Sequence, residues 1–216
     1  MTSEKSRVRL NQVFALAPVV PVITIEHARD AVPLARALVA GGLPVVEITL
    51  RTQAAADAAR AIIAEVKDAV VGISTVLSRH DLEMAAKMGA AFAISPGQSV
   101  ELLEAASSGD LPFVPGIQTA SDLIACVTRG FDLAKFFPAV PAGGLAALNA
   151  LAGPFPNVRF CPTGGIGQGN AGEWLANPKV VAVGGSWVAP TSDIAAGHWS
   201  VIEARAKAAA ALRRAA

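Results

Sequence analysis

The chain has 216 residues, 53% of them hydrophobic and 16% charged, and a formal net charge of +1. That length suits one domain with a substantial core, and so apolar a composition fits a soluble protein rich in buried parallel strands. The near-neutral balance and the lack of a dense basic run argue against nucleic acid or an anionic membrane as the main partner.

Residues 1–10 alternate polar and charged side chains without an apolar segment, so no secretory signal is expected there. No apolar run reaches the length of a membrane span, and the expected location is cytoplasmic. A helical N-terminal segment, 1–17, carries its clearest pattern from Ser6 to Ala17 and is closed by Pro18. Eight apolar runs follow at 19–25, 44–50, 69–75, 91–96, 112–117, 133–138, 158–164 and 180–186, each rich in β-branched or aromatic residues. Between them lie Ala/Leu/Glu/Lys-rich helical segments at 27–40, 53–65, 78–88, 99–106, 120–127, 143–151 and 170–175. An alanine-rich helix over 199–214 closes the chain.

Eight strands alternating with helices predict an α/β fold, a compact (β/α)8 TIM barrel forming one domain over 1–216, with strands within 19–186 and the N-terminal helix capping the barrel. A doubly wound open sheet needs the same alternation but gathers its ligand residues at one switch point. Here the polar residues come from at least five strand ends, which favours the barrel. The string Gly167-Gln168-Gly169-Asn170-Ala171-Gly172 matches GxGxxG, yet it follows the seventh strand and no acidic residue ends the next one, so a nicotinamide cofactor is not expected. Cys126 and Cys161 lie far apart without a CxxC motif and read as buried free thiols. His27, His80 and His198 are scattered, and neither a metal nor any other cofactor is expected.

The sixth run holds a lysine, Lys135, among apolar neighbours. Burial disfavours the charged form of a lysine, and a neutral amine is a nucleophile able to form a Schiff base with a ketone. Side chains alternate faces along a strand, so Glu47, Thr49 and Arg51 share one face of the second strand while Val46, Ile48 and Leu50 share the other. The apolar face suits the outer helices, which turns the polar face inward. An internal ion pair of Glu47 with Lys135 or Arg51 is one reading of that face; an active site at the barrel mouth is the other. In the second reading Lys135 is the nucleophile, Glu47 the general acid/base, and Arg51 the clamp for a substrate carboxylate. Thr75, at the end of the third strand on the face of Ile73, offers a hydroxyl beside Arg51, or else makes a local turn bond. Thr163-Gly164-Gly165 and Gly184-Gly185-Ser186 end the seventh and eighth strands, where glycine backbones let N–H groups approach a phosphate.

With these residues in view the sequence resembles the bacterial 2-dehydro-3-deoxy-6-phosphogluconate (KDPG) aldolases of the Entner–Doudoroff pathway. The likeness rests on PVVPV at 18–22, EITLRT at 47–52, FAISPG at 92–97, VPGI at 114–117, KFFP at 135–138, RFCPTGGI at 159–166 and GGSW at 184–187. It implies a class I aldolase cleaving KDPG to pyruvate and D-glyceraldehyde 3-phosphate, with Lys135 as the Schiff-base lysine and Glu47 as the proton shuttle. Arg51 and Thr75 would hold the pyruvyl carboxylate, Thr163, Gly164, Gly165, Gly184 and Ser186 would line the hydroxyl and phosphate end, and Phe137 and Pro96 would shape the pocket. It also implies a metal-independent homotrimer, with 4-hydroxy-2-oxoglutarate as an alternative substrate. Gly72-Ile73-Ser74-Thr75 departs from the Gly-Ala-Gly-Thr of the family pattern, and its bulkier residues are expected to shift Thr75 or to narrow the pocket. A phosphogalactonate-epimer aldolase, a phosphate-binding isomerase or epimerase, and a non-catalytic sugar-phosphate binder are the other readings.

Overall fold

Short, β-branched strands and alanine-rich helices alternate along the chain, as the apolar periodicity requires. The computed structural model describes residues 2–212. Helix α1 (Glu4–Ala15) leads into β1 (Val19–Ile23); a 3-10 turn, Ala28–Asp30, precedes α2 (Ala31–Ala40) and β2 (Val45–Thr49). The chain continues through α3 (Ala55–Glu65), β3 (Val70–Ser74), α4 (Arg79–Lys87), β4 (Phe92–Ile94), α5 (Val100–Ser108) and β5 (Phe113–Val114). Next come β6 (Gly116–Ile117), α6 (Ala120–Val127), β7 (Leu133–Phe136), α7 (Gly144–Ala152) and β8 (Arg159–Phe160). The last elements are α8 (Ala171–Leu175), β9 (Val183–Gly185), α9 (Thr191–Ala195) and α10 (Trp199–Ala210). The closing helix therefore stops before the expected 214, and residues 213–214 lie outside the described residues.

All strand pairs are parallel. Six strands form a curled sheet in the order β5-β4-β3-β2-β1-β9, and three more pair as β6-β7-β8. The expected strand at 112–117 is split in two by Pro115. Proline has no N–H to give the ladder, so the segment before it pairs with β4 and the segment after it with β7. The hydroxyl of Ser95 accepts the Gly116 N–H at 3.1 Å across this break. Beyond β8, parallel bridges join Phe160 to Val180 and Thr163 to Gly184.

The two strand faces differ in what covers them. Val46, Ile48, Val71, Ile73, Ala134 and Phe136 pack with residues of the surrounding helices in one large cluster. The opposite face holds a second cluster built from strand residues and α1: Val20, Val45, Phe92, Ile94, Val114, Leu133 and Cys161 meet Leu10 and Phe14. The rings of Phe14 and Phe92 lie 5.6 Å apart, and Phe14 is 2% exposed. Burying one such phenylalanine contributes about 1.5–3 kcal/mol, which fixes α1 to the strands. Gly72 permits this layer to close, because a Cβ there would lie 2.2 Å from the Phe92 ring. Ser78, Ser99 and Thr119 cap α4, α5 and α6, each accepting a backbone N–H from the first turn; Thr119 and Asp122 complete a capping box.

Candidate active site

Alternation along the strands sets the site one layer above the second apolar cluster. Lys135 follows Leu133 by two residues, Glu47 follows Val45, and Thr163 follows Cys161, so all three share the inner face. Lys135 Nζ donates to Glu47 Oε1 at 2.8 Å, and the two side chains are 6% and 0% exposed. The second carboxylate oxygen, Oε2, is buried and has no protein partner among the described residues. The Phe137 ring lies beside the amine, its centroid 5.4 Å from Nζ. The internal ion pair and the active-site reading thus describe the same two residues.

Lys135 opens onto a cavity of about 320 Å³ lined by Val22, Thr24, Arg51, Phe137, Thr163, Gly164, Gly165, Ile166, Gly185, Ser186 and Thr191. Glu47 stands behind the lysine rather than in the wall. Arg51 follows the end of β2 and donates from Nε to Thr75 Oγ1 at 3.3 Å. Thr75 reaches it by a route the strand parity does not give. β3 ends at Ser74, and Thr75 takes a left-handed backbone with φ 61°, which turns its hydroxyl off the Ile73 face toward Arg51. Such a conformation is strained for a β-branched residue and must be held by its surroundings.

Gly164 and Gly165 have φ of 102° and 78°, where a side chain is disfavoured. Gly184 is not in the cavity wall; it leaves room for Thr163, whose Oγ1 would lie 2.2 Å from a Cβ at 184. Pro96 does not line the cavity either: its backbone lies against Gly116, beside Lys135 in the ladder. Among the GxGxxG residues, Asn170 accepts the Gly167 N–H at 2.8 Å and donates to the Gly165 carbonyl at 3.2 Å, tying down the loop that borders the cavity.

Four polar residues were not singled out from sequence for roles at the site. Thr24 and Thr191 line the cavity. Thr49 is fully buried and donates to the Ile23 carbonyl at 2.9 Å. Ser74 is 1% exposed and pairs with Thr49 in the ladder, and its hydroxyl has no hydrogen-bond partner among the described residues. The inner-face alternation would have found Ser74; Thr24 carries the same signal, two residues after Val22, inside an otherwise apolar run.

Cys161 lies beneath Lys135 and Glu47, and its thiol is pushed up to about 12, first by burial and then by the Glu47 charge, with Lys135 opposing. It neighbours the Thr163 hydroxyl, but no well-formed hydrogen bond joins them. Cys126, on the buried face of α6, is likewise pushed up to about 12 by burial, then by Asp122. Both thiols are free and buried. Among the described residues no group of three or more His, Cys, Asp or Glu could hold a metal ion, and no helix is long and apolar enough to cross a membrane.

A buried lysine paired to a carboxylate, an arginine fork at one end and a glycine-rich edge at the other can bind an anionic ketone at both ends and attack its carbonyl. Comparison with known proteins bears on this chemistry. A family model described as KDPG and KHG aldolase matches residues 10–205. The KHG/KDPG aldolase of Escherichia coli K12 is 48% identical over 91% of this chain and 92% of its own. The crystal structure of a Legionella pneumophila KDPG aldolase, with pyruvate captured at low pH as a covalent carbinolamine intermediate, is 44% identical with a TM-score of 0.91, covering 93% of this chain and 98% of that one. The Zymomonas mobilis ZM4 2-keto-3-deoxy-6-phosphogluconate aldolase, solved with 3-phosphoglycerate, is 46% identical with a TM-score of 0.90 and covers 95% and 97%.

Proposed function

The chain belongs to the KDPG and KHG aldolase family, and from that premise we propose that it is a Schiff-base aldolase reversibly cleaving KDPG to pyruvate and D-glyceraldehyde 3-phosphate. The observation that carries this reading is the buried Lys135–Glu47 pair at 2.8 Å, opening onto a cavity between a cationic end and a glycine-rich end.

In this mechanism Glu47 takes a proton from Lys135 along their hydrogen bond, and the freed amine attacks the C2 ketone. Glu47 returns the proton to the carbinolamine oxygen and then carries a second from its nitrogen to the same oxygen, so that water leaves and an iminium remains. A base then removes the C4 hydroxyl proton, the C3–C4 bond breaks, and its electrons flow into the iminium to give an enamine. We assign that step to Glu47 acting through a bound water, since the carboxylate itself lies behind Lys135 and not in the cavity wall. Protonation at C3 and hydrolysis release pyruvate. Arg51 and Thr75 hold the carboxylate, for which a forked guanidinium is suited. The loops at Gly164–Gly165 and Gly185–Ser186 offer N–H groups to the phosphate.

We also read the two sheets as one closed eight-stranded barrel within a single domain, capped by α1. The Phe160–Val180 and Thr163–Gly184 bridges and the continuity of β5 and β6 across Pro115 support this. The resemblance further implies a cytoplasmic homotrimer, and light scattering would give the mass of the assembly.

Borohydride reduction with pyruvate present should add a pyruvyl-derived mass to Lys135. No adduct, or an adduct on another lysine, refutes the mechanism. Comparing kcat/KM for KDPG, its galactonate epimer and 4-hydroxy-2-oxoglutarate then ranks the substrates. The matching relative named KHG/KDPG aldolase supports keeping the third of these in the panel.

A further inference from the structure

Hydrogen-bond accounting fixes the polarity of one hydroxyl in the cavity wall. Thr49 Oγ1 lies 2.9 Å from the Ile23 carbonyl oxygen, which can only accept, so the single Thr49 proton goes there. Thr24 Oγ1 lies 3.1 Å from Thr49 Oγ1, and with the Thr49 proton already used, Thr24 must be the donor in that contact. Thr24 lines the cavity with its proton turned away from it. What it presents to a ligand is a pair of lone pairs.

The strand order says which part of a ligand meets them. Going round the sheet edge, β3 leads to Thr75, β2 leads to Arg51, β1 leads to Thr24, and β9 ends at Gly185. A substrate with its carboxylate at Arg51 and its phosphate by Gly185 spans β1, so its middle carbons pass Thr24. In the addition direction the aldehyde oxygen gains charge and needs a hydrogen-bond donor, which an acceptor-only hydroxyl cannot supply. The hydroxyl on the next carbon toward the phosphate keeps its proton throughout and can donate.

We propose that Thr24 is a specificity-determining residue that accepts a hydrogen bond from the hydroxyl adjacent to the aldehyde carbon of the phosphorylated product. This rests on the aldolase reading above and deepens it. It also disfavours an aldehyde bearing a carboxylate at that position, since the lone pairs of Thr24 would face those of the carboxylate.

The test is aldol addition of pyruvate to three aldehydes: D-glyceraldehyde 3-phosphate, its analogue lacking the 2-hydroxyl (3-phosphooxypropanal), and glyoxylate. Thr24→Val should lower kcat/KM for the hydroxylated aldehyde about tenfold, the effect of one neutral hydrogen bond, and change the deoxy analogue less than twofold. It should leave glyoxylate unchanged or raise it. Thr24→Ser, which keeps the hydroxyl, should restore most of the hydroxylated-aldehyde rate. Borohydride trapping of pyruvate on Lys135 in each variant separates the possible failures. If the unaltered enzyme fails to trap pyruvate, the aldolase reading falls and the Thr24 assignment with it. If pyruvate is trapped but Thr24→Val lowers the two phosphorylated aldehydes equally, or neither, or if serine does no better than valine, the Thr24 assignment alone is overturned.

Discussion

Lys135 and Glu47 are each held by the other, and removing one of them strands a charge. Their contact is 2.8 Å, with side chains 6% and 0% exposed. Breaking one side of such a buried pair costs about 3–5 kcal/mol, whereas replacing both partners with uncharged residues of similar size is often neutral or stabilising. In a chain of this length each kcal/mol moves Tm by about 2–4 °C, so Lys135→Met should lower Tm by about 6–20 °C at neutral pH. Glu47→Gln strands an ammonium instead and should cost about as much. The double variant should lose less than either single variant. Calorimetry of the four proteins reads all of this without an activity assay. A Lys135→Met protein as stable as the parent, or a double variant less stable than both single variants, would refute the reasoning.

Four further outcomes follow from other contacts. Arg51→Ala should raise the pyruvate KM by about 10- to 100-fold, the loss of a charge-assisted bond, with little change in Tm because Arg51 is exposed; an unchanged KM argues against the clamp. Cys126 and Cys161, each pushed up to about 12, should not react with a thiol reagent in the native protein near pH 8 and should react fully in denaturant. Gly72→Ala drives a methyl to 2.2 Å from the Phe92 ring, and such overpacking should cost about 1–3 kcal/mol in urea unfolding. Burial would raise the Asp122 carboxyl, but hydrogen bonds from Gln118, Gln98 and Thr119 outweigh it and hold the carboxyl below its usual value. Its contribution is therefore present above the unfolded aspartate range and lost as pH falls through the lower folded value. The stability gap to Asp122→Asn should close over that acid window.

Much of the site was legible because alternation is dependable inside a strand. Glu47 and Lys135 were placed on one inner face by counting residues, and they meet there. The same count fails where a strand stops. Thr75 sits one residue past β3, and its left-handed backbone rather than parity aims its hydroxyl at Arg51. Pro115 divides a run that reads as continuous, since apolar character persists through the residue that cannot donate to the ladder. The short helix α9, which brings Thr191 to the cavity, lies in a polar stretch with no apolar period strong enough to announce it. Thr24 stayed hidden because its significance comes from the direction of a proton, which depends on Thr49 and the Ile23 carbonyl together.

The apolar layer beneath the reactive pair also governs the sequence of events. Val20, Val45, Phe92, Leu133 and Cys161, with Phe14 pressed among them, leave the cavity closed at its inner end. With that end closed, both products leave through the mouth, and in the proposed mechanism the imine sets their order: the aldehyde departs first, while the pyruvyl half stays tethered to Lys135 until water releases it. Synthesis must admit pyruvate before the aldehyde. Pyruvate should then inhibit cleavage competitively against KDPG, and the aldehyde phosphate noncompetitively.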